Sequence, residues 1–79
     1  GEINFRVPDA VAVMTRVEAA LAGGATVDRL DGLTLSFPDW RLNLRASNTE
    51  PLLRLNVETR GDVAGLAKRV AEVSALITG

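Results

Sequence analysis

Two hydrophobic periods alternate along this 79-residue chain, and their order constrains the fold more than any single residue does. Residues 2–7 put Ile3, Phe5 and Val7 on one side and Glu2, Asn4 and Arg6 on the other, the period of a half-buried strand. Pro8 ends it, and Asp9 can cap a helix in which Ala10, Val13, Met14, Val17, Ala20 and Leu21 recur at intervals of three and four. Gly23-Gly24 stops that helix. Period two returns from Ala25 to Phe37: Thr26 to Leu30, then Leu33, Leu35 and Phe37 alternating with Thr34 and Ser36, with Asp31-Gly32 as a two-residue hairpin turn. Pro38-Asp39 makes the next turn, and Trp40, Leu42 and Leu44 alternate with Arg41, Asn43 and Arg45. A polar loop at 46–51 interrupts. Leu53, Leu55 and Val57 then alternate with Arg54, Asn56 and Glu58, and Gly61-Asp62 opens a second helix with Val63, Leu66, Val70, Val73 and Ile77 inward.

The order strand, helix, four strands, helix predicts an α+β fold of two layers. In it an antiparallel sheet carries both helices on its apolar face. Folding must offset roughly 1.5 kcal/mol of conformational entropy per ordered residue, about 120 kcal/mol here, so the chain builds one core and one domain over 1–79. Hydrophobic residues make up 47% of it, which excludes disorder. No apolar run approaches the roughly 18 residues that span a bilayer, and residues 1–4 lack a signal-peptide pattern, so the chain reads as soluble and untargeted. The absence of Cys and His removes disulfides, thiolate nucleophiles, the usual zinc ligands and the commonest general base. A net charge of −1 argues against a general nucleic-acid binder.

The segment Arg45-Ala46-Ser47-Asn48-Thr49-Glu50-Pro51-Leu52-Leu53-Arg54 holds more polar chemistry than a turn requires. It offers hydroxyls from Ser47 and Thr49, an amide from Asn48 and backbone N–H groups before Pro51. Pairing Leu44 with Leu53 and Leu42 with Leu55 would set Arg45 diagonally across from Arg54; sliding the register by two would set them directly opposite. Like charges facing across strands are destabilising on their own, so a donor-rich loop beside two arginines suggests an anion between them. Phosphate suits the paired, charge-assisted bonds of guanidinium groups. An ordinary turn with surface arginines, Glu50 neutralising one of them, accounts for the same residues.

Arg-x-Ser-Asn-Thr-Glu-Pro-x-x-Arg, residues 45–54, resembles the phosphate-binding loop of the C-terminal domain of the α-D-phosphohexomutases, the phosphomannomutase/phosphoglucomutase family. The opening residues 1–4, the Asp31-Gly32 turn and the strand after the loop fit the same domain, so the resemblance covers essentially the whole chain. It implies a TBP-like domain, order β-α-β-β-β-β-α, that is the last of four in a cytoplasmic enzyme, an isomerase of carbohydrate metabolism. Such enzymes interconvert hexose 1- and 6-phosphates through a bisphosphorylated intermediate, and the last domain closes onto the phosphate that is not reacting. The resemblance assigns Arg45, Ser47, Asn48 and Thr49 to that phosphate, with Arg54 as a less uniform basic position. Asn48 favours a phosphomannomutase or phosphoglucomutase parent over a phosphoglucosamine mutase. The implied Mg2+ and phosphoserine belong to the other domains, so this domain is expected to hold no cofactor or metal and no catalytic residue. Its partners would be a mannose or glucose phosphate and the rest of the parent chain, with no nucleic acid or membrane.

Other residues read more simply. Glu50 has no second carboxylate at a defined spacing and reads as bracing its loop through neighbouring N–H groups or Arg54. Asp28 and Asp31 are too few oxygens for a hard cation, and Asp31 is explained by its turn. Trp40 sits on the apolar strand face and reads as core, as do Phe5 and Phe37. Arg41 and Glu58 can pair across strands only in the shifted register. The alternative function is a stand-alone binding or structural module using the exposed sheet face. For nucleic acid that face should be basic and aromatic, yet the chain has a single Lys and no aromatic to spare.

Overall fold

The structure is a computed structural model that describes residues 2–61 and 63–79, without the side chain of Val63. The helix start read at Asp62 and the inward side chain read at Val63 therefore lie outside what is described. The elements are β1 (Glu2–Arg6), α1 (Ala10–Leu21) continued by a 3-10 turn (Ala22–Gly24), β2 (Thr26–Asp28), β3 (Leu33–Ser36), β4 (Trp40–Ala46), β5 (Leu52–Thr59) and α2 (Val63–Thr78). The strands form one antiparallel sheet in the order β1-β5-β4-β3-β2, the α+β arrangement that the periodicity predicts. The last strand in sequence thus lies beside the first.

One face of the sheet is apolar because alternation sends every second side chain there. Leu35, Leu42, Leu44, Leu53 and Leu55 are fully buried, and Val13 and Val17 of α1 and Val73 and Ile77 of α2 close over them. Each such side chain contributes about 1.5–3 kcal/mol by leaving water. Asp9 caps α1, its carboxylate accepting from the Ala12 N–H at 3.1 Å. Arg16 donates from Nε and Nη2 to the carbonyls of Leu76 and Ile77, both at 2.8 Å, and so closes the C-terminus of α2 against α1. Trp40 is buried as expected, stacked on Phe37 with ring centroids 4.3 Å apart and covered by the Arg69 guanidinium 4.8 Å away. Two inward assignments fail at the margins: Ala20 is exposed, and Ile3, on edge strand β1, is 37% exposed.

The β2–β3 turn also differs from expectation. Asp28 pairs with Thr34, so the connection is residues 29–32 rather than Asp31-Gly32 alone, and Leu30 is left 95% exposed. The Asp28 carboxylate accepts from the Leu30 N–H at 2.8 Å and starts the turn early. Gly32 then takes φ 71°, in the left-handed region. A Cβ there would stand 2.2 Å from the Leu44 carbonyl oxygen and 3.0 Å from Cγ of Arg45, so glycine lets the turn lie directly on β4.

The candidate phosphate site

The β4–β5 register is the shifted one. Leu44 pairs with Leu55 and Leu42 with Val57, not with Leu53 and Leu55, and Arg45 therefore faces Arg54 directly while Arg41 faces Glu58. Alternation keeps all four charges on the face away from the helices, where Arg45 and Arg54 are exposed. Because β1 adds to the far side of β5, Asn4 stands opposite Arg54, and one row across the sheet runs Asn4, Arg54, Arg45.

Above that row the chain reverses over residues 47–51, closed by the Ser47 N–H donating to the Leu52 carbonyl at 3.0 Å. The Val7 N–H donates to the Pro51 carbonyl at 2.8 Å and ties the loop to the end of β1. The Ser47 hydroxyl oxygen accepts from the N–H groups of both Thr49 and Glu50, each at 3.3 Å. The run of backbone donors expected before Pro51 is thus partly spent inside the loop. With both lone pairs of Ser47 engaged, its remaining capacity is the O–H donor, the polarity an anion needs.

The loop and the arginine row enclose an open cavity of about 260 Å³ lined by Asn4, Arg45, Ala46, Ser47, Asn48, Glu50, Leu52 and Arg54. Four of the five residues singled out from the sequence line it together; Thr49 does not, and enters only by donating to Ser47. Glu50 braces the loop through its backbone, the N–H donating to Ser47 and the carbonyl accepting from Leu52, while its carboxylate makes no ion pair among the described residues. Two guanidinium groups against one carboxylate leave the lining net positive.

Both arginines have partners that the sequence reading missed. Arg45 approaches Asp31 with Nε at 3.2 Å from Oδ1. Arg54 donates from Nε to Oδ1 of Asn4 at 3.4 Å and lies 3.6 Å from Oε1 of Glu2. Those partners come from 14 and about 50 residues away, so no local pattern marks them. Among the described residues no three or more Asp, Glu, His or Cys side chains are grouped so that they could hold a metal ion. None of their helices is long and apolar enough to cross a membrane.

The sequence profile described as phosphoglucomutase/phosphomannomutase, C-terminal domain, matches residues 2–76. The chain belongs to this family. It is 54% identical over 78 residues to a phosphomannomutase of Salmonella montevideo, covering 98% of this chain and 17% of that protein. It is 55% identical over 80 residues to the phosphohexose mutases of Xanthomonas campestris pv. campestris, covering 100% of this chain and 18% of theirs. The crystal structure of a phosphoglucomutase/phosphomannomutase family protein from Burkholderia thailandensis superposes with a TM-score of 0.70 at 28% identity, covering 98% of this chain and 16% of that one. The chain spans about one sixth of the length of these family members.

Proposed function

We propose that this domain grips the non-reacting phosphate of a hexose phosphate in a phosphomannomutase/phosphoglucomutase and helps close the active site over it. The carrying observation is the direct opposition of Arg45 and Arg54 on the floor of the cavity beneath Ser47 and Asn48. Two like charges held opposite one another raise the energy of the empty site, and a phosphate of charge about −1.5 to −2 between them reverses the sign of that interaction. Each guanidinium can meet two phosphate oxygens, and Ser47 Oγ–H and the Asn48 amide supply neutral donors from above. The transfer itself falls to the parent enzyme's other domains, with their phosphoserine and Mg2+. That parent interconverts mannose or glucose 1- and 6-phosphates through a bisphosphate. In this reading the parent enzyme is cytoplasmic.

A titration of the 79-residue chain with inorganic phosphate and with mannose 1-phosphate, followed by amide NMR shifts, tests this. Shifts confined to residues 45–54 with millimolar affinity, roughly −4 kcal/mol, are expected, because the sugar's other contacts lie in other domains. Shifts spread equally over the helices overturn the reading. The chain alone should convert no mannose 1-phosphate, and turnover above a buffer blank would contradict the division of labour.

A further inference from the structure

Every contact that the two site arginines make with protein side chains is closest at Nε. Asp31 meets Nε of Arg45, and Asn4 and Glu2 meet Nε of Arg54. No terminal nitrogen of either guanidinium donates a hydrogen bond among the described residues. Neither Asp31 nor Glu2 lines the cavity, whereas both arginines do. A guanidinium held along its Nε edge retains its two terminal nitrogens for an end-on, two-pronged contact.

The Asp31 side is built to hold its place. The Asn43 amide donates to the Asp31 carbonyl at 3.0 Å and to Thr34 Oγ1 at 2.9 Å, pinning the turn to β4, and Gly32 brings it against the stem of Arg45. On charge alone a carboxylate beside an anion site weakens anion binding. Its contribution here must come from orientation: a long side chain fixed before the ligand arrives loses less freedom when it binds.

We infer that Asp31 and Asn4 are positioning residues that anchor Arg45 and Arg54 by their Nε edges and present the terminal nitrogens to the bound phosphate. The inference rests on the phosphate reading above and adds the residues that prepare the site.

The test is a phosphate titration of the 79-residue chain by amide shifts, with the Arg45 Nε–H resonance followed alongside. Asp31→Ala removes the carboxylate that meets Arg45 Nε, so it should weaken phosphate binding about three- to tenfold and shift the Arg45 Nε–H resonance toward that of a solvated arginine. Asp31→Glu keeps the carboxylate; it should retain that resonance and bind within about twofold of wild type. Asn4→Ala should weaken binding in the same sense through Arg54. The Asp31 carboxylate side chain is 73% exposed, and its backbone contact to Asn43 survives these changes, so melting temperature should move little. Tighter or unchanged binding in Asp31→Ala, or an equal loss in Asp31→Glu, overturns the positioning role while leaving the phosphate site standing. Absence of any phosphate response at residues 45–54 in wild type overturns both.

Discussion

Strands β4 and β5 carry two charged cross-strand pairs on one face, and the two behave oppositely. Toward the Trp40 end, Arg41 donates from Nε to Glu58 at 3.1 Å, so charge meets its opposite on the neighbouring strand. Toward the loop end, Arg45 faces Arg54, and each is drawn outward to a carboxylate on a further element. The first pair sets one cation against one anion and so presents no net charge to an anionic ligand. The second is satisfied only at its outer edges and leaves donors converging on a cavity. Backbone, face and solvent exposure are nearly the same in both places; the sign of one side chain, Glu58 against Arg54, separates a structural pair from a candidate binding site.

That contrast presupposes a fixed register, and the apolar face holds it. Leu44→Ala, beneath Arg45 and paired with Leu55, should cost about 2–5 kcal/mol in a urea titration followed by Trp40 fluorescence. A loss under about 1 kcal/mol would mean that the leucine ladder does not set the register. Converting the loop-end pair into a copy of the other by Arg54→Glu should weaken phosphate binding about hundredfold, past detection from a millimolar start, because a forked contact becomes a repulsion. The same change trades the Arg45–Arg54 repulsion for an attraction and the Arg54–Glu2 attraction for a repulsion, so the stability of the unliganded domain should move by less than about 1 kcal/mol. Arg45→Ala should weaken phosphate about tenfold or more, with Arg45→Lys between it and wild type since it keeps the charge but not the fork. Phosphate should raise the melting temperature of wild type more than that of Arg45→Ala. The smallest effect belongs to the self-satisfied pair. Arg41→Ala should leave phosphate affinity unchanged and cost less than about 1 kcal/mol, fading with salt. If Arg41→Ala weakens phosphate as much as Arg45→Ala does, the site is a general basic surface and the contrast between the two ends disappears.

The sequence by itself determined the order of elements, the inward face of each strand, the cap at Asp9, the buried place of Trp40 and the loop that gathers Ser47 and Asn48. All of these follow from local rules, periods of two or three to four and the chemistry of turn residues, acting over a few neighbours. It left open the pairing of β4 with β5, because alternation repeats every two residues and a slip of two keeps every leucine on the apolar face. It missed the early turn at Asp28 and the self-contained bonding of Ser47, where a side chain competes with the expected backbone pattern. Tertiary structure decided what those choices mean. Only the assembled sheet selects the register that opposes Arg45 to Arg54. Only the addition of β1 to β5 brings Asn4 and Glu2 to Arg54, from about 50 residues away. Only the packing of Gly32 on β4 delivers Asp31 to Arg45. Those contacts join residues distant in sequence, and their energy depends on which strands become neighbours once the single core has formed.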